Sequence, residues 1–235
     1  MDPTDPAAPV PLLVVAAVDR EAEAARAAAA IAGPTAAVRV VTGGVGRVNA
    51  AVATVRAVLE APGPAPAAVI SAGVAGALPS LDPLTIGDAV VASGSVYVEE
   101  GIETPEGFSD VAAMGFPLVP GADGNRLPAH PGLASAAIGA APEARLGVVA
   151  TVATCSGTDA RAAAVRRRTG AVAEAMEGAA VLHAAALLGL PAIELRTISN
   201  TTGDRDRQSW DLDLALRRLE TLLAAVVPAL AAAVR

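Results

Sequence analysis

The sequence predicts an α/β protein with a mixed, mainly parallel central sheet flanked by helices on both sides, in one domain spanning residues 11–235. Three observations carry that expectation. Short apolar runs of strand length alternate with alanine-rich stretches of helical period, an order that yields a sheet covered on both faces. The apolar runs are continuous, as in buried strands. The chain has 235 residues, 53% of them hydrophobic and 2% aromatic, enough for one sizeable core built from small side chains.

Each element follows in order. "PLLVVAAV" (11–18) reads as a buried strand and "EAEAARAAAAIA" (21–32) as a helix. "AAVRVVTG" (36–43) is a strand, and "GRVNAAVATVRAVLE" (46–60) a helix with apolar residues near 3.6 spacing. "PAAVISAG" (66–73) and "IGDAVVASGSVYV" (86–98) are strands, the second with a bend or bulge allowed at Gly94. Residues 100–130, rich in Gly, Pro, Glu and Asp, read as a long loop, either mobile or part of a site. A short helix (131–140), a strand (144–152) and two helices (158–170 and 177–189) come next, the last ended by Gly189 and Pro191. The strand "AIELRTIS" (192–199) precedes a final helix over 209–234, which Pro228 should kink.

Composition excludes several classes. Lysine is absent, every side-chain cation is an arginine, and the net charge is −7. Such a chain has no general electrostatic reason to bind nucleic acid or an anionic membrane. No stretch qualifies as membrane-spanning, and the start "MDPTDPAAP" is acidic and proline-rich, unlike a signal peptide. Residues 1–10 are expected to be a disordered leader. The lone Cys155 excludes an intrachain disulfide and a multi-cysteine zinc site, which fits a reducing cytoplasm.

Ligands of such sheets bind beyond the carboxyl ends of strands. There the chain reads "DREAE" (19–23), "GGVGRVNA" (43–50), "SAGVAGAL" (71–78) and "SNTTGDRDRQSW" (199–210). Taken alone, Glu21 and its acidic neighbours suit the first turn of a helix, worth roughly 0.3–1 kcal/mol. The glycines of 43–50 fit neither a P-loop nor a dinucleotide fingerprint, and serve close ligand approach or tight packing about equally. "SAGVAGAL" has no cation beside it and suits a neutral ribose or base better than a phosphate. Ser-Asn-Thr-Thr at the end of an apolar strand is only partly explained as a solvated turn. In "AEAMEGAA" (173–180), Glu177 reads as a helix-start carboxylate or, if buried, as the partner of two vicinal hydroxyls. His183 reads as a packing residue, and Cys155 as a small buried side chain rather than a nucleophile.

In order along the chain, "AAVDREAEA", "GGVGRVNAA", "SAGVAGAL", "IGDAVVAS", "EAMEGAAV" and "RTISNTTGD" resemble the nucleoside phosphorylase/nucleosidase superfamily. That resemblance implies a three-layer sandwich and a purine nucleoside substrate, with no cofactor and no metal. "AEAMEGAA" and "SNTTGDRDRQ" narrow it to the nucleosidases that cleave futalosine in the alternative menaquinone pathway. The methylthioadenosine/S-adenosylhomocysteine nucleosidases usually show Met-Glu-Ala and a later Ser-Asp, where this chain has Gly178 and Asn200.

The resemblance assigns roles by position. Glu21 activates the attacking water. Glu177 binds the ribose 2′- and 3′-hydroxyls, with Met176 packed against the sugar. Gly76, Ala75 and Cys155 line the substrate pocket, Asn200 faces the purine, and Glu174 is structural. Asn200 offers one acceptor and two donors, which suits a 6-oxopurine better than a 6-aminopurine. A purine nucleoside phosphorylase would need a cation for phosphate, from Arg20 or Arg47, since none stands near "SAGVAGAL". Family members are commonly oligomers, so a homo-oligomer is expected. Phe108 and Phe116 in the 100–130 loop are read either as a cover for the 5′ end of the substrate or as a partner contact.

Overall fold

In a computed structural model of the chain, residues 9–33, 36–60, 63–120 and 123–235 are described. The expected leader falls largely on residues 1–8, outside the described residues, and the first strand opens at Val10. The elements are β1 (Val10–Ala16), α1 (Asp19–Ile31), β2 (Ala36–Thr42), α2 (Arg47–Leu59), β3 (Ala68–Ala77) and β4 (Ala89–Tyr97). After them come β5 (Gly101–Thr104), β6 (Gly107–Asp110), β7 (Arg126–Pro128), α3 (Pro131–Ala140), β8 (Arg145–Thr151) and α4 (Asp159–Thr169). The chain ends with β9 (Ala173–Ala175), α5 (Gly178–Leu187), β10 (Ala192–Thr201), a single 3₁₀ turn at Arg205–Arg207, and α6 (Leu212–Ala233).

The sheet is mixed and mainly parallel. Strand β3 is its spine. Its first half pairs in parallel with β1, which pairs in parallel with β2. Its second half pairs on the same edge with β9, antiparallel, from Gly76↔Glu174 to Ala77↔Ala173. Along its other edge runs β10, parallel, from Ala192↔Val69 to Thr201↔Ala77. Beyond β10 the order is β4, β8 and back to β9, so that this end of the sheet curls round and closes on β3.

Two bulges accompany the curl, because an extra unpaired residue bends a strand and tightens its twist. One lies between Ala92 and Gly94, where the sequence allows it. A Cβ on Gly94 would stand 2.9 Å from the Leu127 carbonyl oxygen, so the close approach of β7 needs a glycine there. The other lies between Ile198 and Asn200.

Alternate residues of the central strands feed opposite layers. Leu12 and Val14 of β1, Ile70 of β3, and Ile193 and Leu195 of β10 pack with Leu219, Leu223 and Val226 of α6. Leu13, Val15 and Val69 face Val181, Leu182 and Ala185 of α5. Burial on both faces explains the continuous apolar runs. Alanine at so many helix positions lets α1, α2 and α5 lie close to the sheet. Apart from 121–122, which lie outside the described residues, the 100–130 segment is more ordered than the loop its composition predicts: β5 and β6 form a hairpin and β7 joins the edge of β4. Helix α6 runs as one element through Pro228.

Candidate active site

Buried charges meet where the chain leaving β1 passes the middle of β3 and β10. Glu21, in the first turn of α1, is 4% exposed. No side chain caps this helix through its N-cap residue Val18. Instead, Oε2 of Glu21 accepts from the backbone N–H of Ala17 at 3.0 Å and of Val18 at 3.2 Å. Its Oε1 accepts from the N–H of Val74 on β3 at 2.9 Å. The helix-start role is therefore real, and the carboxylate is also pinned to the neighbouring strand. Of its roughly four acceptor sites three are taken.

Arg196, 1% exposed on β10, is the hub. Its Nε donates to Glu194 Oε1 at 2.8 Å, its Nη2 to Ser71 Oγ at 3.2 Å, and its Nη1 to the Val74 carbonyl at 3.3 Å. Nη2 also stands 3.5 Å from Glu177 Oε2. A Cβ on Gly73 would fall 2.5 Å from Glu21 Oε1 and 2.6 Å from Arg196 Nη1, so these two groups face each other across a glycine. Burial opposes the guanidinium's charge, but Glu194, Glu177 and Glu21 together hold its pKa above the ordinary arginine value. Burial pushes the Glu194 carboxyl up, against the pull of Arg196 and a hydrogen bond from the Ser95 hydroxyl. Arg196 is absent from the sequence expectations, although an arginine two residues from a glutamate inside a mostly apolar strand was a signal for it.

Glu177 occupies the N-cap position of α5 without capping it. One of its oxygens, Oε1, accepts from the N–H of Gly46 at 3.0 Å, and the other, Oε2, from the N–H of Met176 at 3.2 Å. Gly46 has φ 95°, a conformation open to glycine, and this sets its amide toward the site. Each oxygen of Glu177 keeps about one free acceptor site.

Past the bulge, Asn200 is 8% exposed. Its Oδ1 accepts from Ser199 Oγ at 2.7 Å, and its Nδ2 donates to the Thr201 carbonyl at 2.9 Å. An amide has two lone pairs and two N–H groups, so one acceptor and one donor remain. Asn200 borders a cavity of about 320 Å³ lined by Gly76, Cys155, Ser156, Gly157, Glu174, Arg205, Gln208 and Trp210. A Cβ on Gly76 would sit 3.0 Å from Asn200 Nδ2 and 2.8 Å from Thr202 Cγ2.

Other candidates sort differently. Glu21, Glu177, Met176 and Ala75 do not line that cavity; the first two stand around Arg196. Ala75 is buried, and its carbonyl accepts from Ser199 Oγ at 3.3 Å. Cys155 is exposed rather than buried. It lies on the loop after β8 at the cavity wall, its Sγ 3.6 Å from Met176 Sδ. Partial desolvation of the thiol at the cavity wall, with Glu174 and Glu177 nearby, pushes its pKa up, which disfavours a thiolate. His183 packs edge-on against Tyr97 and bonds the Leu118 carbonyl at 3.0 Å. Arg20 pairs with Asp213 on the exposed surface, and Arg47 pairs with Glu99 and Glu100. Phe108 lies under the Arg168 guanidinium, and Phe116 is 70% exposed. Ser156 comes from the loop after β8, whereas Gln208 and Trp210 belong to the polar stretch 199–210 at the end of β10, where no sequence pattern assigns them a role of their own.

Among solved structures, the chain resembles the 5′-methylthioadenosine/S-adenosylhomocysteine nucleosidase of Neisseria meningitidis, with a TM-score of 0.74 at 22% identity over 93% of this chain and 98% of that one. It also resembles the futalosine hydrolase of Helicobacter pylori, at 0.73 and 20% over 93% and 97%. These likenesses concern the fold. In sequence it is 42% identical to the futalosine hydrolase of Streptomyces coelicolor over 69% of this chain and 66% of that protein. It is 37% identical to the futalosine hydrolase of Thermus thermophilus over 75% of each. The matched region thus spans just under two thirds of the Streptomyces protein's length. The family model of the Phosphorylase superfamily matches residues 15–232. The chain therefore belongs to the phosphorylase superfamily, and within it to the family of the futalosine hydrolases.

Proposed function

We propose that this protein is a cytoplasmic purine nucleosidase that hydrolyses the N-glycosidic bond of futalosine, releasing hypoxanthine and dehypoxanthine futalosine for menaquinone biosynthesis. The observation that carries the reading is the amide of Asn200, left with one donor and one acceptor at the cavity edge. As the bond breaks, a 6-oxopurine newly protonated at N7 meets both, with N7–H donating to Oδ1 and O6 accepting from Nδ2. A 6-amino group would set donor against donor. The relatives' shared name points the same way.

Breaking the bond builds positive charge on the ribosyl ring. Glu177, with one open acceptor site on each oxygen, suits the vicinal hydroxyls and stabilises that charge. Glu21 takes the proton of the water that attacks the anomeric carbon. Three carboxylates around one arginine oppose a phosphate dianion, and Arg20 and Arg47 are committed to carboxylates of their own. Hydrolysis is favoured over phosphorolysis on that ground.

The test is release of free base from futalosine, inosine and methylthioadenosine, with and without phosphate. Futalosine should be cleaved best and independently of phosphate. In Asn200→Asp, preference should move toward 6-aminopurine nucleosides by about tenfold or more, the scale of one misplaced buried hydrogen bond. Undiminished preference for the 6-oxo substrate in that variant would defeat the assignment.

The assembly we propose is a homo-oligomer joined through α2 and the end of α5. Val48, Val52 and Leu187 are 76%, 50% and 68% exposed there, beside an apolar groove containing Ala51, Val55, Ala184 and Leu188. Grouped apolar exposure of this kind marks a contact surface. Sedimentation velocity should give at least twice the 23.0 kDa chain mass, and Val48→Asp with Val52→Asp should return the monomer. A monomeric wild type would refute the surface.

A further inference from the structure

An asparagine facing the base leaves one chemical task unfilled. As the C1′–N9 bond breaks, its electron pair stays with the purine, whose imidazole nitrogen must gain a proton. Asn200 has no acidic proton to give. Resting on the nucleosidase reading above, we propose that Glu174 and Ser156 form the proton relay to the departing base.

The sheet places them for it. Gly76 on β3 is the register partner of Glu174 on β9 and of Asn200 on β10. Residues in register on neighbouring strands point to the same face, and the middle one of these three has no side chain. Glu174 and Asn200 therefore flank one gap over Gly76, and all three line the same cavity. Glu174 is 5% exposed and, among the described residues, is hydrogen-bonded through Ser156: Oε1 accepts from the Ser156 N–H at 2.7 Å, and Oε2 lies 2.6 Å from Ser156 Oγ. Ser156 borders the cavity as well.

The step balances. The protonated carboxyl of Glu174 passes its proton to Ser156 Oγ, and the Ser156 hydroxyl passes its own to the purine nitrogen as C1′–N9 breaks. Water adds its oxygen to C1′ and leaves a proton on Glu21. Return of one proton from Glu21 through solvent to Glu174 restores the enzyme. Burial raises the Glu174 pKa; the two Ser156 bonds and Arg161 on α4 work against the rise, and Glu99 beyond β4 adds to it. Cys155 is the other titratable group at this wall. A carboxyl shifted up keeps its proton to higher pH than usual.

The experiment compares two substrates carrying the same 5′-substituted ribose, futalosine and its 4-nitrophenyl counterpart, whose leaving group needs no proton. Glu174→Gln keeps a partner for both Ser156 groups. It should lower kcat on futalosine by about 10²–10⁴-fold, the usual size of a general-acid contribution, and leave the 4-nitrophenyl riboside nearly unaffected. The decline in wild-type kcat on the alkaline side, where the acid loses its proton, should vanish in the variant. Equal losses on both substrates would show a structural role and overturn the relay. Wild-type kcat on futalosine in Glu174→Gln or Ser156→Ala would overturn it too. If the wild-type enzyme cleaves neither substrate, the nucleosidase reading falls and the relay with it.

Discussion

Glu21→Gln is expected to lower kcat on futalosine by about 10²–10⁴-fold, the range typical of a lost general base, with a small change in KM. Glu177, which would hold the ribose, is untouched by the exchange. The side chain's second role complicates the reading. Its two oxygens accept three backbone N–H groups, two on the α1 side and one from β3. A glutamine has one oxygen to offer. If it faces Ala17 and Val18, its NH₂ meets the Val74 N–H, and leaving that donor unpaired costs about 1–3 kcal/mol. A lower melting temperature is therefore expected as well. Azide separates the two effects, because it attacks without giving up a proton. Added azide should restore cleavage in Glu21→Gln as a glycosyl azide product, whereas damage confined to the fold would not be rescued. Full hydrolytic kcat in the variant, measured well below its melting temperature, would remove Glu21 from the chemistry.

What the sequence made legible is tied to periodicity and to strand ends. Continuous apolar runs located β1, β3 and β10 within a few residues, because strands buried on both faces admit little else. The stretches just beyond β1 and within the end of β10 contain Glu21 and Asn200, the start of the helix at 177 contains Glu177, and the family resemblance assigned these three their roles. Glu21 and Glu177 turn out to face one guanidinium, and Asn200 follows it on the same strand. Other features had no local signature. Strand β9 is three residues long and exists because β3 and β8 both pair with it. Glu174 looked structural because its neighbour across the cavity, Asn200, is 26 positions further along the chain. Pairing of β9 and β10 with opposite edges of β3 at Gly76 brings them together. Cys155 was expected to be buried for its small apolar character, yet a loop position at a cavity wall decides its exposure. Residues 100–130 have a loop's composition, but the β5–β6 hairpin is secured by backbone pairing, which composition does not encode.

Gly178 is the position where a one-carbon change should be felt most in stability. The superfamily resemblance marks it as the alanine of the usual Met-Glu-Ala motif. In this chain a Cβ at 178 would overlap the carboxylate of Glu194, which is fully buried between Ser95 and Arg196 and has nowhere to swing. Gly178→Ala must displace that carboxylate and break its bond to Arg196 Nε. Separating a buried, hydrogen-bonded charge pair costs about 3–5 kcal/mol, and the helix-propensity gain from replacing glycine, at most about 1 kcal/mol at this first position of α5, recovers only part of it. A net loss of about 2–4 kcal/mol in denaturant unfolding follows from those two values. The mechanism makes a sharper demand in a double-mutant cycle. With Glu194→Ala already present, the space is open and the ion pair is gone, so adding Gly178→Ala should be neutral or stabilising by up to about 1 kcal/mol. Equal costs in the two backgrounds would mean that the glycine serves the backbone of α5 and that the contact with Glu194 is incidental. A strongly reduced cost would establish that glycine at 178 in this chain makes room for a buried acid, which orients the arginine shared by Glu21 and Glu177.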